Sequence, residues 1–285
     1  CTPVDKNGEP LRNTIIWADL RSVNQAKLLE DTVGMKKVYD ITGHRISPAY
    51  SGEKIMWIRD NQPEIYKKTY KMLNAKDYII HKLTGKFVTD YSDASGMNFL
   101  DIKKKVWSDV ILDAAKINKD ILPELHASTD IVGTVKNDVA EELGLLEGTP
   151  VVAGGGDGCC AAVGAGVVEK GSAYNVIGSS SWIALASDEP IYDPEMRTFN
   201  WIHLDENLYS PCGTMQSAGY SYSWLKNTLC GLEMLQAKEQ NINPYDLINK
   251  AIDSTPPGSN NLLFLPYLLG ERSPRWNPDA KGAFI

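Results

Sequence analysis

The stretch that most constrains this chain is an apolar strand running into three glycines, a carboxylate and a small-residue helix. Residues 150–153 read Pro-Val-Val-Ala, residues 154–157 Gly-Gly-Gly-Asp, and residues 159–166 are small enough for a helix packed closely on a sheet. A strand, glycine turn and helix in that order predicts α/β layers, and open α/β sheets build their sites at the carboxyl ends of strands. Glycines at that place leave no Cβ atoms to block a ligand. Asp157 then has two readings. It can be a general base within reach of a hydroxyl, or a helix N-cap, a position that Asp favours; both can hold together.

The rest of the chain fits the same layers. A short buried strand is predicted at 14–17, and a helix capped by Ser22 runs through Leu28 and Leu29 to a stop at Gly34. Ser51 starts a helix carrying Ile55, Met56 and Ile58. A strand at 71–74, a helix at 76–83 closed by Gly85, a strand at 87–89 and a polar turn at 90–95 follow, and Ser108 caps a helix with Val110, Ile111, Leu112 and Ala115 on its apolar face. A domain boundary is expected near 166–171. Beyond it, 173–177 and 182–186 flank Gly178-Ser179-Ser180-Ser181 as a hairpin, and 198–204 with 208–211 form another. Helices at 217–229 and 244–252, a Pro256-Pro257-Gly258 linker and a strand at 262–265 complete the reading.

Composition excludes several classes of function. A net charge of −7 on 285 residues, with Lys103 to Lys105 as a short solvated run, gives no footprint for nucleic acid or an anionic membrane. No stretch approaches the ~20 apolar residues that cross a bilayer, and the start lacks the pattern of a secretion signal. The five cysteines include the adjacent Cys159 and Cys160 and form no pair of CxxC units, so neither a disulfide framework nor a zinc site is expected. A soluble protein of the reducing cytoplasm is the expectation. A chain that opens on Cys1 and stops at Phe284-Ile285 reads as an internal piece of something longer.

Three further groups carry chemistry. Gly178 to Ser181 offers N–H groups and hydroxyls for an anion nest, or is a plain β-turn; no GK[ST] follows, so it is not a Walker loop. Trp17, Asp19 and Arg21 place an indole, a carboxylate and a guanidinium together. They can hold a sugar, or be a core Trp beside a surface ion pair. Cys159 or Cys160 can be a thiol activated at a helix N-terminus, or a small residue that lets the helix pack closely. No His pairs with Cys or Ser at the spacing of a nucleophilic triad.

A series of landmarks resembles the FGGY carbohydrate kinases, and among them the xylulose kinases. In order they are Gly8-Glu-Pro-Leu-Arg12 and Trp17-Ala-Asp-Leu-Arg21; Glu53-Lys54-Ile-Met-Trp57; Lys76-Asp-Tyr78 and Leu83-Thr-Gly85; and Thr89-Asp-Tyr-Ser-Asp-Ala-Ser-Gly96. Val151 to Gly158, Gly178 to Trp182, Phe264-Leu-Pro-Tyr267, Gly270-Glu-Arg-Ser-Pro274, Asn277-Pro278 and Ala280-Lys-Gly282 follow.

The resemblance implies an actin/ribonuclease H-like two-domain fold, partial at both ends. Residues 1–168 would form a sugar-binding domain and 169–285 the start of a nucleotide-binding domain. It implies ATP and Mg2+ as cofactors, a small ketose such as D-xylulose as substrate and Asp157 as the base. Trp17, Asp19, Arg21 and Gly158 would lie by the sugar, and Gly178, Ser179, Ser180 and Ser181 along the nucleotide phosphates. Gluconate, ribulose, fuculose or glycerol are alternative substrates, a homodimer is a compatible assembly, and a non-catalytic sugar-binding module is the rival reading. Where many xylulose kinases carry Asn after the catalytic Asp, this sequence has Gly158. The family's first phosphate loop and its Gln-Met-His-Gly-like segment would precede Cys1, and its adenine site would follow Ile285.

Overall fold

The computed structural model describes residues 1–277 and 279–285, so Pro278 of the Asn277-Pro278 landmark lies outside the described residues. The chain divides into two compact units, one of Cys1–Ala173 with Leu185–Pro211, the other of Tyr174–Ala184 with Cys212–Ile285.

In the first unit, Thr2–Val4 pairs antiparallel with Lys71–Leu73, and Val88–Asp90 pairs parallel with Glu124–His126, which sets Asp90 opposite His126. Parallel pairing requires a crossover. Helices Tyr91–Ser95 and Asp109–Ala115 lie within it. Pro150–Val152, within the predicted apolar strand, pairs antiparallel with Ile131–Thr134 and leads into the helix Asp157–Gly164.

Local chemistry sets the ends of the helices. Asn74 and Asp77 form a reciprocal capping box at the start of Ala75–Thr84, and Gly85 closes that helix in the left-handed region at φ 77°. Helix Ser51–Asn61 buries Ile55, Met56 and Ile58 as expected, and these join Leu29, Phe99 and Ile102 in one core of fully buried side chains. Each such burial contributes roughly 1.5–3 kcal/mol.

Three readings need correction, and two helices add to them. Residues 14–17 form no strand: Ile15 pairs through its backbone with Cys1, donating to and accepting from it, while Ile16 and Trp17 are exposed. Ser22 precedes the helix Val23–Thr32, but its hydroxyl donates to the Pro48 carbonyl at 2.9 Å instead of capping. The polar turn at 90–95 is the short helix Tyr91–Ser95, because the Asp90 side chain accepts the N–H groups of Ser92 and Asp93. Helices Met35–Thr42 and Gly231–Gln240 were not predicted; neither has a side-chain cap to announce it.

In the second unit Ser181 to Ala184 pair antiparallel with Met215 to Cys212, and Ala173–Ile177 neighbours Ser181–Leu185, the predicted hairpin. Helices Gly219–Leu229, Gly231–Gln240 and Pro244–Asp253 follow, the last with Pro244 in its first turn. Phe264–Leu265 pairs with Ala283–Phe284, and Phe264 stacks on Trp224. Among the described residues no helix is long and apolar enough to cross a membrane.

One buried acid gives the first unit a pH signature. Glu53 is fully buried, accepts from the Asn98 amide at 2.9 Å, and is pushed up to about 8 by burial. Between its ordinary value of 4.5 and about 8 the folded carboxyl keeps a proton that the unfolded one has lost. The unfolded state then binds fewer protons, so stability falls as pH rises through that window and levels off above it. The expected loss is on the order of 1–4 kcal/mol in denaturant titrations, with a visibly smaller slope in Glu53→Gln. Equal slopes in the two proteins would contradict the assignment.

Candidate active site

The turn carrying Asp157 is held by main-chain and buried side-chain contacts from three other segments. The Ala153 N–H donates to the Asp130 carbonyl and the Gly154 N–H to the Ser128 carbonyl, both at 2.9 Å. The Lys76 ammonium donates to the Ala153 carbonyl at 3.0 Å, and the Gly156 N–H donates to Ser92 Oγ at 2.9 Å. Gly154 adopts φ +67°, a conformation that costs any other residue.

Beneath the turn sits a polar cluster around one cation. Lys76 Nζ lies 2.8 Å from Asp77 Oδ1 and 3.1 Å from Asp90 Oδ1, and both carboxylates are fully buried. Asp90 Oδ2 accepts from Ser92 N at 2.8 Å, Ser92 Oγ at 2.5 Å and Ser128 Oγ at 2.7 Å. Burial works against the Lys76 charge, but Asp77, Asp90 and Asp93 outweigh it and raise the pKa of the ammonium. Asp93, whose Oδ1 lies beside Gly156, is pushed up to about 7 by desolvation first and by Asp77 and Asp90 next, against the pull of Lys76.

Asp157 is exposed and is the first residue of its helix, with Gly156 in the N-cap position; its Oδ1 accepts the N–H of Gly158 at 2.8 Å. The carboxylate therefore lies at the solvent-exposed end of the glycine turn, with one oxygen on a first-turn N–H of its own helix. The activated-thiol reading is overturned. Burial pushes both thiols up: Cys159 is packed under the helix with its Sγ 3.4 Å from the Ile202 carbonyl, and Asp90 and Asp157 add to the rise at Cys160.

Asp19 and Arg21 bind each other, with Arg21 NH2 2.6 Å from Asp19 Oδ2, and hydrogen bonds from Arg21 hold the Asp19 carboxyl down at about 2. The Arg21 guanidinium also lies 4.8 Å from the Trp57 ring centroid. The Trp17 indole is 79% exposed, and the buried Lys54 donates to the Trp17 carbonyl at 3.4 Å. In the second unit, Gly178, Ser179 and Ser180 are exposed. The Gly178 and Ser179 carbonyls accept the N–H groups of Ala218, Gly219 and Tyr220 at the start of the helix Gly219–Leu229. Asp157 and Gly158 thus lie together in the first unit, where Asp19 also pairs with Arg21 and Trp17 stands exposed, while Gly178 to Ser181 lie in the other unit. Among the described residues, no group of three or more His, Cys, Asp or Glu side chains is arranged to hold a metal ion.

Sequence reasoning missed Lys76, Asp77, Asp90, Ser92, Asp93 and Ser128 as parts of the site. The Asn74-x-x-Asp77 box and the Asp90-x-Ser92-Asp93 cap were visible signals of helix starts, but nothing local says that both face the turn.

The solved structures to which this chain is similar include sugar kinases. A ligand-bound xylulose kinase from Lactobacillus acidophilus matches with TM-score 0.88 and 29% identity, covering 100% of this chain and 56% of that one. A gluconate kinase from Lactobacillus acidophilus gives TM-score 0.89 at 29% identity with the same coverage. The fold is therefore the actin/ribonuclease H-like fold of the two-domain sugar kinases, as the landmarks implied. Residues 1–164 match the FGGY family of carbohydrate kinases, N-terminal domain, and residues 173–285 match its C-terminal domain. The chain belongs to this family.

Xylulose kinase of Bacillus subtilis (strain 168) is 34% identical over 282 residues, 99% of this chain and 54% of that protein. Gluconokinase of Bacillus licheniformis is 36% identical over 282 residues, 99% of this chain and 55% of that protein. The chain spans about half the length of the curated relatives it matches.

The turn glycines differ in what they tolerate. A Cβ on Gly155 would lie 2.1 Å from Leu204 Cδ2, 3.1 Å from Ser92 Oγ and 3.3 Å from Cys160 Sγ, whereas one on Gly156 meets nothing closer than 3.6 Å. Gly155→Ala is expected to destabilise the protein by about 1–3 kcal/mol in denaturant unfolding, and Gly156→Ala by clearly less. Equal losses would show that the turn does not pack as described.

Proposed function

We propose that this chain is part of a kinase that transfers the γ-phosphoryl group of ATP to a small ketose, D-xylulose giving D-xylulose 5-phosphate, with Asp157 as the catalytic base. The observation that carries the reading is the exposed Asp157 carboxylate at the end of a glycine turn, in a chain of this family. MgATP, when bound, supplies the phosphoryl group. As the sugar hydroxyl oxygen attacks phosphorus, Asp157 takes the hydroxyl proton; the new O–P bond forms the sugar phosphate and ADP leaves.

Residues 1–168 take the sugar-binding role in this reading and 169–285 begin the nucleotide-binding part. The exposed Trp17 ring offers an apolar face to sugar C–H groups, and the nearby Asp19 and Arg21 can hydrogen-bond hydroxyls. Gly158, lacking a side chain, leaves room beside the base. The exposed Ser179 and Ser180, with Gly178 and Ser181, fit the polyphosphate: a Cβ on Gly178 would meet only the Ser180 carbonyl, at 3.8 Å, so the approach is open. The acidic groups described do not form a Mg2+ site, and no residue of this chain is assigned to that ion. The cytoplasm is the proposed compartment, and the partners are the sugar and ATP.

A second reading has an observation of its own: a gluconokinase is similar over the same span as the xylulose kinase. The test is ATP-dependent phosphorylation of D-xylulose, ribulose, fuculose, gluconate and glycerol by the complete polypeptide containing this chain, beside its Asp157→Ala variant. Turnover of D-xylulose above the other substrates, reduced about 10²- to 10⁴-fold in the variant, is expected. Preference for gluconate would move the substrate, and a variant as active as the parent would remove Asp157 from the mechanism.

A further inference from the structure

We propose that Ser92 is a positioning residue for Asp157, acting through the Gly156 amide, with Asp90 and Lys76 fixing the direction of its hydroxyl; the proposal deepens the reading of Asp157 as base and rests on it. Ser92 is fully buried and lies 64 positions before Gly156, yet its Oγ is 2.9 Å from the Gly156 nitrogen and 2.5 Å from Asp90 Oδ2. A hydroxyl has one proton to give. The Asp90 oxygen can only accept it, so the lone pairs of Ser92 are left for the Gly156 N–H.

Asp90 cannot turn to release that proton. Its Oδ2 also accepts the Ser128 hydroxyl at 2.7 Å and the Ser92 N–H at 2.8 Å, while Oδ1 faces the Lys76 ammonium at 3.1 Å. The chain of donors therefore runs one way, from the Gly156 amide to Ser92 to Asp90. Three consecutive glycines have no side chains with which to pin themselves and carry the largest backbone freedom of any residue. The Gly156 amide, adjacent in sequence to Asp157, ties the turn to a distant segment one residue before the base. Misplacing a reacting group by about 1 Å can cost on the order of 10²-fold in rate.

Ser128 provides the control. Ser92→Ala and Ser128→Ala each remove one buried hydroxyl from Asp90 Oδ2, but only Ser92 touches the turn through its side chain. In the complete polypeptide both variants are expected to lower Tm. Ser92→Ala is expected to lower kcat by about 10- to 100-fold with KM for sugar and ATP within about twofold, and Ser128→Ala to keep kcat within about twofold. If Ser92→Ala does not fold, Ser92→Cys keeps a donor for Asp90 but is a poor acceptor for Gly156, and kcat is expected to fall by about 3- to 10-fold.

A wild-type kcat in the Ser92 variant that folds, or an equal kcat loss in Ser128→Ala, overturns the proposal. Asp157→Ala, measured alongside, separates the two levels. If it destroys turnover while the Ser92 variants do not, the positioning role fails alone; if it leaves turnover intact, the assignment of the base fails and the positioning role falls with it.

Discussion

The ion pair of Lys76 with Asp77 and Asp90 is the contact on which the candidate site depends. Two fully buried carboxylates under a glycine turn need a counter-charge, since an isolated ion costs several kcal/mol to desolvate. Lys76 supplies it from the first turn of the helix Ala75–Thr84, whose capping box already fixes Asp77. With its charge balanced, Asp90 can cap the helix Tyr91–Ser95 and accept two serine hydroxyls as well. The cation does not cover every acid near it: Asp93 is raised to about 7 by burial first, and then by the nearby Asp77 and Asp90. One helix start therefore balances the charges that order the turn.

Much of the fold was legible because its signals are local. Apolar 150–153 before three glycines, Gly85 after a helical run, and Pro244 at a helix start each state their meaning within a few residues. The strand expected at 14–17 failed because apolar composition does not guarantee a partner: Ile15 finds one and Trp17 points to solvent. Helices Met35–Thr42 and Gly231–Gln240 escaped notice for want of a capping side chain. Ser22 shows the converse, a capping residue whose hydroxyl is taken by the distant Pro48 carbonyl.

The candidate site was legible at its tip and illegible beneath it. Asp157 stands out because a carboxylate after glycines at a strand end is locally unusual. Its support comes from residues 76–77, 90–93 and 128–130, brought together by the parallel pairing of Val88–Asp90 with Glu124–His126 and by the segment that enters the turn. That convergence is a property of topology, invisible to period or composition. Tertiary contacts also set the state of other groups: burial beneath its helix pushes the Cys159 thiol up, and the Asp19 carboxylate is bound to Arg21.

The most direct measurement of this account is amide hydrogen exchange at Gly154 and Gly156 in the folded, complete protein. Gly154 donates to the Ser128 carbonyl and Gly156 to the Ser92 hydroxyl, each at 2.9 Å, so both amides should exchange far more slowly than in an unstructured chain. Exchange of the Gly156 amide at the unstructured rate would contradict the claim that buried side chains hold the turn on which Asp157 stands.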